Sequence, residues 1–207
     1  MPLSYPSHQG LIAPLWRRWP NAFDMPALCV GATMPDVVDG LFAFYRGHLG
    51  QTWGHTLLGM VFLCIPLGVV VWVGLHYFSR NVPRSPGKRF LSRFWNWGND
   101  AIAASPGPET LLQRWRIVLG SLTVGAFSHL FFDVISHGRK HAGFQWFRPL
   151  EVQLDIYPEW WNHTWFLMPV PGYGDGYPFA PHFLVWCVLN VVGIVMLCWP
   201  AWRGTKE

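Results

Sequence analysis

Three stretches of the chain stay apolar long enough to cross a bilayer. Thr56 to Ser79 and Gly176 to Trp202 contain no Asp, Glu, Lys or Arg, and Ile117 to His137 contains only Asp133. A span needs about 20 mostly apolar residues. The pattern therefore predicts membrane helices near 57–78, 117–136 and 183–202. Pro66 lies inside the first, a position that membrane helices tolerate with a kink. A fourth segment, Pro26 to Tyr45, is apolar but interrupted by Pro35, Asp36 and Asp39. It reads as a short helix or re-entrant segment broken at Met34-Pro35, short of a full span. The expected fold is an all-α integral membrane bundle, one domain over 1–207, with three to four membrane helices.

Charge orients these elements. The segment 80–116 carries Arg80, Arg84, Lys88, Arg89, Arg93, Arg114 and Arg116. The positive-inside rule assigns this basic loop to the cytoplasm. The first predicted helix then runs outside to inside, the second returns, and the third runs inside again. Arg203 and Lys206 agree with that ending. The segment 138–182 falls outside. Its run EWWNHTWFLMPVPGYGDGYPFAP is aromatic and turn-rich, and it reads as an interfacial cap or a loop lying on the membrane.

Composition narrows the class. The 207 residues are 51% hydrophobic and 13% charged, where soluble domains carry roughly a quarter charged residues. Fourteen Trp, fifteen Phe and six Tyr suit membrane interfaces. A net charge of +4, confined mainly to one loop, argues against nucleic acid as a partner. Cys29, Cys64, Cys187 and Cys198 sit in apolar runs without metal or redox spacing, and read as packing residues. The first ten residues lack a basic stretch followed by an apolar one, so no secretory signal is expected there.

Against this background the polar residues stand out. His129, Asp133 and His137 are four residues apart and form one stripe on a helix. Ionisable groups inside a bilayer are costly and tend to be functional. By the predicted topology Asp133 and His137 sit at the outer end of their helix, with His129 about two turns deeper than His137 at about 1.5 Å per residue. His55 opens the preceding span at the same end, with His48, Asp39, Asp36 and His8 before it. Only His76 lies at the cytoplasmic end. This gathering predicts a shared site. The plain alternative is a hydrogen-bonded knot between helices. His48, His137 and His141 also read as ordinary loop or interfacial residues, and His163 and His182 lie in the aromatic cap.

Four pieces of sequence carry a resemblance: PSH (Pro6–His8), ALCVGATMPD (Ala27–Asp36), HTLLGMVFLCIPLG (His55–Gly68) and SHLFFDVISHG (Ser128–Gly138). In this order the chain resembles the bacterial membrane proteins catalogued as domain of unknown function 4184. The layout is also similar to small bacterial inner-membrane proteins labelled membrane-bound metal-dependent hydrolases, a label resting on a distant likeness to zinc-dependent phospholipase C. The resemblance implies His8, Asp36, His55, His129 and Asp133 as first candidates for metal ligands, with His137 at a commonly polar position beside them. The segment 139–182 matches nothing in that pattern, so its contacts do not carry over.

His and carboxylate donors without Cys suit zinc, with manganese or iron as alternatives. Five donors exceed the three protein ligands usual for one catalytic zinc. Either a second metal is present, or some of these groups orient ligands or act as general base. Asp133 and Asp36 are the candidate bases. The expected activity is metal-dependent hydrolysis of an amphiphilic, lipid-linked or phosphoester substrate at the face of a bacterial inner membrane. The competing class is a non-enzymatic membrane protein whose cluster is structural or handles protons or ions, with a homo-oligomer able to build the pathway. A third is a scaffold using the basic loop on anionic lipid.

Overall fold

Asp24 starts the bundle. Its carboxylate accepts a hydrogen bond from the Ala27 backbone N–H at 2.8 Å and another from the Trp72 indole at 3.0 Å, while its own N–H donates to Ser121 Oγ at 2.9 Å. An aspartate bonding the third backbone N–H ahead of it is an N-cap. Here the cap also joins three helices at one end of the protein. The computed structural model describes residues 4–46, 53–81, 96, 110–137, 146–147, 149–150, 157–170 and 173–203. His48, His141 and most of the basic loop lie outside the described residues.

Five helical elements follow in order. Helix α1 is Ser4–Arg18 and α2 is Met25–Arg46. A short turn at Trp53–His55 leads into α3 (57–81), in which a π turn at Met60–Cys64 joins Leu57–Gly59 to Ile65–Asn81. Helix α4 is Leu111–Ser136, capped by the Thr110 side chain on the Gln113 N–H, and α5 is Pro181–Arg203. The π turn stands immediately before Pro66. Proline has no N–H and its ring crowds the preceding turn, and a locally widened turn is a recognised way for a helix to absorb such a disturbance. Between α4 and α5 lies a two-stranded antiparallel hairpin, β1 (Phe166–Val170) and β2 (Tyr173–Phe179), with Phe166 opposite Phe179 and an irregularity between Met168 and Val170.

Among the described residues, four helical stretches are long and apolar enough to cross a membrane: Met25–Tyr45, Leu57–Ser79, Leu111–Ser136 and Pro181–Cys198. The sequence expectation for Pro26–Tyr45 is thereby corrected. The helix runs unbroken through Pro35, because Asp36 and Asp39 turn inward onto partners in the bundle, and Pro35 is itself buried in the core. The other three spans hold: Leu57–Ser79 and Leu111–Ser136 contain the expected 57–78 and 117–136, and Pro181–Cys198 overlaps the expected 183–202. The 138–182 region reads from sequence as an interfacial cap or a loop on the membrane surface. Where described, it contains the hairpin and a 3-10 turn at Glu159–Asn162.

Contacts fix the direction of each helix. α2 and α4 both run from the Asp24–Ser121 end to the end holding Asp36 and Asp133. α3 runs the other way, from His55 to Trp72. α5 starts beside the Glu159–Asn162 turn, where His182 Nδ1 donates to the Trp161 carbonyl at 3.1 Å, and ends with Leu197 against Met25 and Ala13. α1 descends beside it, and Arg17 reaches the Met196 carbonyl at 2.8 Å.

Glycines let the backbones meet. A Cβ on Gly31 would run into the Leu122 carbonyl and one on Gly125 into the Leu28 carbonyl, so α2 and α4 cross in direct backbone contact. Gly10 and Gly193 do the same for α1 and α5. Close packing of this kind drives helix association where lipid leaves little hydrophobic difference to exploit. Around it lies an apolar core of Ala27, Val30, Met34, Val38, Met60, Cys64, Val118, Leu122, Ala126 and Leu130. Outward, α3 exposes Phe62, Val70, Val73 and Phe78, and α5 exposes Val188, Val191 and Val195. Such apolar faces suit hydrocarbon rather than water.

Gly31→Val should lower the thermal stability of the detergent-solubilised protein clearly, because overpacking costs about 1–3 kcal/mol and the obstacle here is backbone. Gly120→Ala, where an added Cβ meets nothing within 4 Å, should be neutral or stabilise by up to about 1 kcal/mol. Equal melting temperatures for the two variants would contradict the close α2–α4 crossing.

Candidate metal centre

The six residues expected to form a site, His8, Asp36, His55, His129, Asp133 and His137, lie together. Each arrives by a different route. His8 comes from the first half of α1 and Asp36 from the middle of α2. His55 closes the turn before α3. His129, Asp133 and His137 follow one face of α4 to its end. His129, Asp133, His55 and His8 are buried, whereas the Asp36 side chain is 24% exposed and forms the open side of the cluster.

Two imidazoles are oriented from behind. His55 Nδ1 lies 2.7 Å from Asp39 Oδ2, and Asp39 Oδ1 in turn accepts the Gly54 N–H at 2.7 Å. His129 Nδ1 donates to the Ala32 carbonyl on α2 at 2.8 Å. With Nδ1 as the donor in both rings, each Nε2 is left to face the centre. The two Nε2 atoms are 3.2 Å apart. Asp133 Oδ2 stands 3.1 Å from His55 Nε2 and 3.3 Å from His129 Nε2. Asp36 Oδ1 stands 3.6 Å from both.

Two imidazole lone pairs cannot hydrogen-bond to each other. Together with two carboxylate oxygens they enclose a place for positive charge. A proton is one occupant. Burial pushes the His55 imidazolium down, but hydrogen bonds and charge from Asp133 and Asp39 outweigh it and raise its pKa to about 10. A metal ion is the other. Around tetrahedral zinc, with bonds of about 2.0–2.2 Å, neighbouring ligand atoms stand about 3.3–3.5 Å apart. Five of the six edges of this four-atom set measure 3.1, 3.2, 3.3, 3.6 and 3.6 Å. Donor type and tautomer thus suit a divalent ion at His55, His129 and Asp133 with Asp36 beside them, and His/Asp donors here lie close enough together to hold one.

The remaining residues surround this set. His8 stacks on His129 with ring centroids 4.3 Å apart, and its Nε2 is 3.7 Å from Asp133 Oδ1. Burial, then the neighbouring His129, lower the His8 pKa to about 3. His137 Nδ1 donates to the Asp133 carbonyl at 2.9 Å, and the Trp161 indole donates to the His137 carbonyl at 3.1 Å. Burial lowers the His137 pKa despite Asp133. Asp39 is the member that ligand reasoning passed over. Its signal was the three-residue spacing after Asp36, which puts both carboxylates on one face of α2. His76 stays apart, at the Trp72 end, with Nδ1 donating to the Trp72 carbonyl at 3.2 Å. The four cysteines are free.

A family model described as domain of unknown function (DUF4184) matches residues 1–165. The chain belongs to this family. The DUF4184 match includes every residue of the cluster, from His8 to His137, and ends before the hairpin and α5. No curated protein and no solved structure matches the chain.

The two shifted histidines give the metal-free protein a pH dependence with two limbs. His55 has a folded pKa of about 10 against an ordinary 6.5, so its contribution is complete below pH 6.5 and disappears as pH rises towards about 10. His8 is displaced the other way, to about 3, so its contribution is complete above pH 6.5 and is lost as pH falls. Melting temperature in chelator should therefore peak near neutrality. His55→Gln should flatten the alkaline limb, and an unchanged limb would rule out the paired imidazolium.

Proposed function

We propose that the protein is a membrane-bound, metal-dependent hydrolase acting on a phosphoester or similar amphiphile at the membrane surface. The observation that carries this reading is the convergence of His55 Nε2, His129 Nε2 and Asp133 Oδ2 at 3.1–3.3 Å from one another, the three protein donors of a catalytic zinc, with the part-exposed Asp36 carboxylate 3.6 Å from both imidazoles. Zinc fits best, with manganese or iron as alternatives.

A divalent ion at this position would supply Lewis acidity and lower the pKa of water bound to it to about 7. The protein groups have distinct tasks around it. Asp39 holds the His55 ring so that Nε2 points inward, and the Ala32 carbonyl does the same for His129. Such partners fix tautomer and orientation. Asp133 is shut in between two imidazoles, which suits a ligand. Asp36 is the exposed carboxylate, and so the one able to take a proton from water. In hydrolysis the water oxygen bonds to phosphorus and the ester P–O bond breaks. The water proton passes by way of Asp36 to the leaving alcohol.

Two features support an amphiphilic substrate at the outer surface. Arg17 and Arg18 end α1 and Arg114 and Arg116 begin α4 towards the Asp24 end of the bundle, and the sequence that joins α3 to α4 carries Arg84, Lys88, Arg89 and Arg93. The positive-inside rule then faces that end to the cytoplasm and the cluster to the outside, in the inner membrane of a bacterium. Because α1 and α2 together make one excursion to the Asp24 end and back, the added span does not reverse the cluster. In addition, a cavity of about 510 Å³ lies at the start of α5, lined by Glu159, Trp160, His163, Trp165 and Pro181. An aromatic wall of this kind suits a headgroup and the first carbons of an acyl chain.

Elemental analysis of detergent-purified protein after zinc loading tests the reading. The parent should carry zinc. His129→Ala and Asp133→Ala should lose it, together with at least about 10²-fold of any phosphoesterase activity found by screening. Parent protein that takes up no zinc, manganese or iron would leave the cluster as a structural or proton-handling knot.

A further inference from the structure

Asp133 offers its two oxygens to different sets of imidazoles. Oδ2 faces His55 and His129 at 3.1 and 3.3 Å, as described. Oδ1 faces the other way, 3.7 Å from His8 Nε2 and 3.7 Å from His137 Nδ1. His137 Nδ1 is already engaged with the Asp133 carbonyl. His8 is not engaged. Its Nδ1 is buried without a hydrogen-bond partner, and its Nε2 stands beyond hydrogen-bond length from the nearest carboxylate oxygen. Leaving a buried polar group unsatisfied costs about 1–3 kcal/mol. An ion at Nε2 would leave Nδ1 as it is, so what points to an ion is the Nε2 side, where His8, His129 and Asp133 offer buried donor atoms within 4.8 Å of one another. The separation of His8 Nε2 from Asp133 Oδ1 is close to the spacing of two donors on one ion.

We propose that His8 Nε2 and Asp133 Oδ1 hold a second divalent ion, with Asp133 bridging it to the first. The inference rests on the reading of the first ion given above. In two-metal hydrolytic sites the ions sit about 3.5–4 Å apart and clamp the attacking and leaving oxygens of a displacement. A carboxylate that gives one oxygen to each side is the usual way to set that distance. Charge supports the pairing. Asp36, Asp39 and Asp133 bring three negative charges to a buried site. One divalent ion leaves the cluster net negative, which repels a phosphoester. Two make it net positive, which attracts one. With only two protein donors, the second position leaves most of its coordination to water and to substrate oxygens. It binds more weakly than the first and is completed by an anionic substrate.

The test is zinc titration of the full chain, with bound zinc counted by elemental analysis, in the parent and in His8→Ala. The parent should bind about two ions in a tight and a weak class, and His8→Ala should keep the tight ion alone, which also reports that the variant is folded. Manganese loading of the parent tests the point without a mutation: paired ions give an exchange-coupled electron paramagnetic resonance spectrum, and isolated ions a simple six-line one. One zinc in both proteins with an uncoupled manganese spectrum overturns the second ion while leaving the first intact. Two zincs retained in His8→Ala, or both lost from a folded variant, overturns the division of ligands. No metal in the parent overturns this inference and the proposed function together.

Discussion

The constraint on which the molecule depends is the cost of holding three carboxylates and four imidazoles at one end of an apolar bundle. None of these groups is tolerable there alone. A buried ion without a partner costs several kcal/mol even after relaxation, and its neighbours cannot withdraw without exposing it. Asp39 is matched by the Gly54 N–H and the His55 ring. Asp133 is matched by His55 and His129, and His129 is anchored to the Ala32 carbonyl. Apart from the Asp133–His129 pair within α4, each link crosses from one helix or turn to another, so the helices cannot shift independently.

The packing below the cluster exists on the same terms. His129 can reach the Ala32 carbonyl because α2 and α4 touch at Gly31, next to Ala32, and at Gly125, one turn before His129. Asp24 fixes the register from the far end by joining α2 to Trp72 on α3 and Ser121 on α4. A polar clamp at each end, with small residues and aliphatic core between, fixes the side chains of three helices relative to one another. It does so where burial alone supplies little preference for one helix pairing over another.

Much of this was legible in the sequence. Uncharged runs marked three spans, and four-residue spacing marked the His129–Asp133–His137 stripe. The basic loop placed His55 and Asp133 at a common end. What escaped reading was set by tertiary partners. Pro35, Asp36 and Asp39 look like interruptions in a span because sequence does not show that both carboxylates have buried partners waiting. Asp39 reads from sequence as sharing the face of Asp36 or capping a helix, since its role depends on His55, sixteen residues away across a turn. The hairpin at Phe166–Phe179 was hidden by its Pro and Gly content, which reads as loop, and it is held by strand pairing and by stacking of Phe166 on Phe179. α1 was missed because its polar residues, His8 and Gln9 among them, obscure a helix whose partners are α2 and α5.

The distribution of polarity separates a hydrolytic site from a conduit. A proton or ion path needs polar groups or water along its length. In the described residues the interior between the two ends is filled by Val30, Val118, Leu122, Ala126 and Met60. The far end is closed by Trp72, whose indole is bonded to Asp24 and whose face lies 5.6 Å from the Arg114 guanidinium. The cluster is therefore a blind site with one accessible carboxylate, Asp36, at its mouth. Chemistry needs access from one side, whereas transport needs it from two. The backing groups on His55 and His129 have their own meaning in this setting. The inward alignment of the two Nε2 atoms serves a shared proton or, on the proposed reading, a metal ion, and Asp39 and the Ala32 carbonyl provide it from behind the two rings.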